Sequence, residues 1–347
     1  MTPPPACCGR VSRPAHATGL PRPTGVSLAR PVGRSGDRPT TKLTVFLLGL
    51  IAAGLLASCE HSSSTSSSSN TKLYTDGLGR KVSLAVRTPR IISLSPSNTE
   101  LLFAVGAGPQ VVGRDDYADF PVEVEAVRSL GSSSGKLNAE AMVALKPDLV
   151  LAAEIHSAEH VSALENLELH VFLLANPKTF AELFNNVRLV GELSGHEVEA
   201  SRLAASLEKR VNEVEEKLKG LTHRPTVFYE LDATDVRHPW TVGSGSFMHT
   251  LITLAGGENF GASLTQDYPR VSAETIIRKD PDIIVLGDAV FGVTVESVRQ
   301  RAGWEALSAV KTARIYPFDD NLASRPGPRL VDGLETLARL LHPERFP

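Results

Sequence analysis

The chain is 347 residues long and 42% hydrophobic, with 36 Lys/Arg against 39 Asp/Glu and only three cysteines. Residues 1–58 hold seven of those basic residues and one of the acidic ones, so the remainder carries 29 against 38, a net of −9. That balance leaves no basic cluster able to neutralise a run of phosphates and argues against nucleic acid as a partner.

Residues 1–41 are rich in Pro and Arg and read as unstructured. They exceed an ordinary signal n-region, as if the true translation start lay further in. Residues 43–58, LTVFLLGLIAAGLLAS, form a charge-free run behind Arg34, Arg38 and Lys42. As a helix this run would span about 24 Å. That is short of the ~30 Å hydrocarbon core, and suits the apolar part of a secretion signal. It ends Leu56-Ala57-Ser58-Cys59. Leucine, two small residues and cysteine resemble the lipobox of bacterial lipoproteins, in which the signal is cleaved before the cysteine and that cysteine carries lipid. Since the other cysteines are Cys7 and Cys8, such cleavage would leave one acylated thiol and no disulfide. The 289 residues from 59 to 347 can bury a core large enough to stand without one. Residues 60–70, EHSSSTSSSSN, read as a flexible tether. The expected location is extracytoplasmic, on a lipid leash.

The folded part opens with a short hairpin, Leu73–Tyr74 and Val82–Ala85 around Asp76-Gly77. Arg90–Leu94 reads as a strand. Ser97-Asn98-Thr99-Glu100 has capping-box spacing, and the helix it would open is stopped by Gly106 and Gly108. Val111–Val112, Leu149–Ala152 and Val171–Leu174 are short β-rich runs separated by helices, the pattern of a parallel sheet. From Thr179 to Lys219 the period becomes helical, with Leu203, Leu207, Val211, Val214 and Leu218 in register. Unbroken, that helix would reach about 60 Å, and Gly191 and Gly195 are the places for a kink or split. The alternation then restarts: strand Val227–Leu231, helices at Ser246–Ala255 and Glu274–Arg278, and strands Ile283–Leu286 and Ile315–Phe318. A last helix carries Leu330, Leu334, Leu337 and Leu341 on one face.

One clause is written twice across this connector: NAEAMVALKPDLVL at 138–151 and SAETIIRKDPDIIV at 272–285. Asn138 and Ser272 suit an N-cap, and Glu140 and Glu274 fall in the first turn, where a carboxylate gains about 0.3–1 kcal/mol from the helix dipole. Pro-Asp then stops each helix before a buried strand. For either glutamate alone, capping chemistry is explanation enough. As a pair they would give each lobe an acidic knob related by approximate two-fold symmetry, which a partner with two basic pockets could hold. The fold class expected is α/β, two Rossmann-like lobes with parallel sheets joined by a long backbone helix. The divisions are residues 1–58 (extension and signal), 59–72 (tether), 73–177 (first lobe), 178–220 (connecting helix) and 221–347 (second lobe).

RIISLSPSNTELLFAVGAG, DDYADFP, LNAEAMVALKPDLVLA, WTVGSGSF, LAGGENF, VSAETIIRKDPDIIVLGD and SRPGPRLVDGLETLARLLHPE together resemble the substrate-binding proteins of ABC importers, in the group of vitamin B12, iron–siderophore and haem receptors. The resemblance covers about residues 73–347. It implies a monomeric receptor rather than an enzyme, with no cofactor, served by a dimeric permease and its ATPase, and a large chelate as ligand. By position, Glu140 and Glu274 match the family's permease-docking glutamates, and Cys59 the lipidated residue. Family ligand contacts lie on loops at the lobe interface, which points to Tyr117, Trp240, Tyr268 and Arg325. Aromatic faces suit a flat corrin or porphyrin, and an arginine suits a carboxylate or amide rim. Cobalamin or another corrinoid is ranked first, with iron–siderophore or haem next. The loop GSSSGK before Glu140 lacks the aromatic that vitamin B12 receptors often have there.

Three motifs point elsewhere. HSAEH at 156–160 matches the H-x-x-E-H of a zinc protease class and would put His156 and His160 on one helix face, which also raises a free zinc or manganese receptor. It begins too soon after a strand for the protease. GSSSG at 131–135 matches G-x-S-x-G without the strand and helix of a nucleophile elbow. GSGSFM at 243–248 lacks the third glycine of a dinucleotide loop.

Overall fold

The computed structural model describes residues 71–346 apart from Ser134 and Lys136. The signal run, the lipobox with Cys59 and the tether up to Asn70 lie outside the described residues. No helix among those described is long and apolar enough to cross a membrane.

An antiparallel hairpin, β1 (Thr71–Thr75) and β2 (Lys81–Ala85), comes first. It is fastened to the first lobe by Gly77 N–H donating to the Leu173 carbonyl, 2.7 Å, and by Arg80 to Glu165, 2.8 Å. The first lobe then runs β3 (Ile91–Ser93), α1 (Pro96–Ala104), β4 (Val111–Arg114), α2 (Ala139–Ala144), β5 (Leu149–Ala153), α3 (Ala158–Glu165) and β6 (Val171–Leu174). Next come α4 (Phe180–Ser194) and α5 (Glu197–Lys217). The second lobe runs β7 (Thr226–Glu230), α6 (Phe247–Leu254), β8 (Glu258–Asn259), α7 (Ala273–Lys279), β9 (Ile283–Leu286), α8 (Val295–Arg299), α9 (Ser308–Lys311), β10 (Ile315–Pro317), α10 (Asn321–Ser324) and α11 (Leu330–Leu341).

Both sheets are parallel and have the same topology. The first is ordered β4-β3-β5-β6 and the second β8-β7-β9-β10, so each places its first strand between its second and third. Their central strands are unbroken apolar runs, LVLAA in β5 and IIVL in β9, buried at every residue. That is the composition a parallel sheet covered on both faces requires. Alternate residues feed different cores: Ile92, Val150 and Val171 point into a cluster with Met142 and Val161, while Ile91, Leu149, Leu151 and Phe172 join a larger one. The larger cluster continues through α4 and α5 to Val227, Tyr229 and α11 of the second lobe. One apolar core therefore crosses the connector.

The repeated clause acquires a structural meaning here. The Asn138 and Ser272 side chains cap their helices, accepting from Ala141 and Thr275 N–H. Lys146 and Asp280, each just before the Pro-Asp, both sit at φ 46°, which ends the helix in a left-handed residue. The Pro-Asp aspartates then tie down the first strand of each sheet. Asp148 accepts from Arg90 N–H at 2.9 Å, and Asp282 from Thr226 N–H at 2.8 Å. Cap, stop and strand anchor all have partners.

Two readings change. The helical stretch 179–219 is split at Gly195, whose φ of 76° forms a left-handed cap, so the 60 Å rod does not occur. α4 and α5 pack on one another so closely that a Cβ on Gly191 would collide with the Ala200 methyl. α5 alone, about 31 Å long, runs on to the second lobe. There Arg210 holds Asp332 and Glu335 of α11 at 2.6 and 2.8 Å. Its buried stripe is Ala200, Ala204, Leu207, Val211 and Val214, and Leu203 is only partly covered. The cap of α1 also moves: Ser95, followed by Pro96 at the first helical position, accepts from Asn98 N–H, so Ser97 and Glu100 lie inside the helix. Glu100 is released for another task.

Candidate functional site

In sheets of this order ligands meet the carboxyl ends of the strands, where the order reverses. On the first lobe that edge carries the loop 115–121 after β4. Buried Asp115 shapes it, accepting from Tyr117 N–H at 2.8 Å and from Ser133 N–H at 2.6 Å. The Tyr117 side chain is left 39% exposed and Phe120 42%. On the second lobe, Trp240 follows β7 and is stitched down by its own backbone, its N–H donating to Asp232 O at 2.8 Å and its carbonyl accepting from Leu231 N–H at 3.0 Å. The Arg270 guanidinium covers one face of the indole, 5.4 Å from its centroid. Tyr268, 42% exposed, belongs to a segment paired with the Trp240 strand through Thr241 N–H to Pro269 O and Gly243 N–H to Asp267 O, both 2.9 Å. This close pairing accounts for WTVGSG: a Cβ on Gly243 would strike the Gln266 carbonyl. Trp240 and Tyr268 are thus brought onto one patch of the second lobe.

Arg325, which the sequence points to as a ligand contact, has protein partners in the structure. It reaches the first lobe, with Nη1 at 2.5 Å from Asp119 and 3.3 Å from Glu100, and Nη2 at 3.3 Å from Asp119. Arg329 completes the network as a fork on Glu100, at 2.8 and 2.5 Å, with its guanidinium 4.1 Å from the Phe120 ring centroid. Two carboxylates of the first lobe therefore face two guanidiniums of the second. The Glu100 side chain is 2% exposed, while that of Asp119 is 65% exposed. Burial alone would raise the Asp119 carboxyl, but the hydrogen bonds and charge of Arg325 hold it below the ordinary carboxylate range. Glu100, Asp119 and Arg329 were missed from sequence. The signal available was the pair of arginines flanking Pro-Gly-Pro in SRPGPR.

The other motifs resolve into structure. His156 and His160 do not share a helix face: His156 precedes the Ser157 cap of α3 and is buried against Ala153, whereas His160 is exposed in the first turn. Burial lowers the His156 pKa. Among the described residues no group of three His, Cys, Asp or Glu is arranged to hold a metal ion. The Ser133 hydroxyl donates to the Leu94 carbonyl rather than standing on an elbow. After the third strand of each sheet one buried polar atom has no hydrogen-bond partner among the described residues, His156 Nε2 after β5 and Asp288 Oδ1 after β9. Asp288 faces Glu230, which pairs with Arg301 at 2.5 and 2.8 Å. Desolvation first, and the Glu230 charge second, push the Asp288 carboxyl up to about 7.

Glu140 and Glu274 are both exposed, one in the first turn of α2 and the other of α7. Neither forms an ion pair with another described residue. Glu274's own N–H and the Ser272 hydroxyl hold its carboxyl below the ordinary range. They occupy the same position of the repeated clause in the two lobes.

The family model for periplasmic binding proteins matches residues 91–322. The chain belongs to the periplasmic binding protein family. Among its relatives, the uncharacterized ABC transporter substrate-binding lipoprotein YvrC of Bacillus subtilis is 32% identical over 310 residues, covering 86% of this chain and 96% of that one. The vitamin B12-binding protein of Pectobacterium atrosepticum is 28% identical over 70% of this chain and 84% of its own length. Of solved structures, the periplasmic haem-binding protein RhuT of Roseiflexus superposes with a TM-score of 0.66 at 26% identity, over 74% of this chain and 99% of its own.

Proposed function

We propose that this periplasmic binding protein is a lipid-anchored, extracytoplasmic receptor of an ABC importer that captures cobalamin or another corrinoid and delivers it to the permease. Cys59 carries the anchor, Glu140 and Glu274 dock the permease dimer, and Tyr117, Trp240, Tyr268 and Arg325 face the ligand. The receptor works as a monomer and performs no chemistry. One observation carries the reading. Two exposed glutamates occupy the same place in two lobes of the same topology, at the heads of helices whose caps and Pro-Asp strand anchors are consumed by the fold. Replacing Glu140 and Glu274 together by Ala is expected to leave ligand affinity intact and abolish uptake. Uptake that survives the double change overturns the docking assignment.

A second cargo reading, haem or a ferric siderophore, is favoured by the guanidiniums of Arg325 and Arg329 at the lobe interface, which suit anionic chelates better than an amide-rimmed corrin. Mixing the purified protein with cobalamin, haemin and ferric siderophores, and following the visible absorption band of each, separates the two. A band shift with haemin alone removes cobalamin.

A further inference from the structure

We propose that Asp119 is a specificity-determining residue: its carboxylate occupies the guanidinium edge of Arg325 that an oxyanion on the ligand would use, so that it competes with acidic chelate rims and biases the cleft towards neutral ones. The inference rests on the reading of this chain as a chelate receptor and concerns which rim chemistry the cleft accepts.

The geometry distinguishes the two carboxylates that meet Arg325. Glu100 lies in the body of α1 with a side chain only 2% exposed, and Arg329 forks both its oxygens at 2.8 and 2.5 Å. Removing it from its partners would strand a buried charge, which is costly. Asp119 lies on a loop with a side chain 65% exposed, and meets Arg325 edge-on through both oxygens, at 2.5 and 3.3 Å. On leaving, Asp119 returns to water, so the exchange is cheap. A guanidinium edge presents parallel N–H donors that fit one planar oxyanion at a time. A ligand carboxylate and Asp119 therefore compete for the same donors, and Glu100 stays behind to hold Arg325 in place. A neutral rim offers no replacement charge and leaves the Asp119–Arg325 pair closed.

Aromatic side chains flank this pair. Asp119 is two residues from Tyr117 on the loop shaped by Asp115, and adjacent Phe120 lies under Arg329.

The test uses the mature protein and two ligand pairs that differ in the acidic group alone. They are haemin against its dimethyl ester, and cyanocobalamin against the monocarboxylic acid obtained by hydrolysing one side-chain amide. Affinities are read from absorption titrations of wild type, Asp119→Asn and Arg325→Gln. The expected result is that Asp119→Asn raises the acid-to-neutral affinity ratio by about three- to tenfold, in line with removing one partly exposed competing ion pair. Arg325→Gln brings the ratio close to one. A ratio in Asp119→Asn equal to or below that of wild type overturns the inference, even if the ligands bind well. If no member of either pair binds any of the three proteins, the chelate reading fails and this inference with it. Asp119→Ala, followed in parallel with a thermal melt, shows whether any change comes from loss of fold.

Discussion

Asp288 allows a quantitative test of the second lobe's interior. It follows β9, is 3% exposed, and has one oxygen accepting from Ala233 N–H at 3.1 Å and the other without a partner among the described residues. Glu230 faces it from β7, Arg301 from beyond α8, and the Tyr229 ring lies nearby with its hydroxyl on Asp320 at 2.7 Å. Desolvation, with the Glu230 charge behind it, pushes its pKa from the ordinary 3.8 up to about 7. The folded protein therefore holds a proton here that the unfolded chain has released between those values. Folding stability must fall as pH rises through that window, by about 1.4 kcal/mol per pH unit, and level off above pH 7. The ceiling is on the order of 4 kcal/mol. Asp288→Asn keeps the shape and the acceptor for Ala233 while removing the titration. Between pH 5 and pH 8 the variant should gain about 2–3 kcal/mol on wild type. Urea unfolding at four or five pH values measures this directly. Stability profiles of wild type and variant that run parallel across that range refute the reasoning.

Two further outcomes follow from the connector and the amino-terminal region. Gly191→Ala should destabilise by about 1–3 kcal/mol despite alanine's better helix propensity, because its methyl meets Ala200; Ala200→Gly in the same chain should recover most of the loss in a denaturation series. Cys59→Ala should abolish labelling by a radioactive fatty acid and shift the protein from the membrane fraction to the soluble one, and a labelled variant would remove the anchor assignment.

Strand and helix positions, the capped starts at Asn138 and Ser272, and the duplication itself were legible in the chain, since caps, stops and apolar runs act over a few residues and leave local patterns. Glu140 and Glu274 stand out the same way, as the repeated members of a repeated phrase. What the local pattern could not supply was partnership. Glu100 looks like a capping-box residue until the chain closes and brings Arg329 to it from 229 positions away. Arg325 looks like an open surface cation until Asp119, 206 positions earlier, meets it edge-on. The role of Asp148 and Asp282, each anchoring the first strand of its own sheet, likewise depends on which strands become neighbours. Charge, once paired, ceases to be a property of one residue. Only the assembled lobes decide which oxygen each guanidinium receives, and with it which surface is left for a ligand.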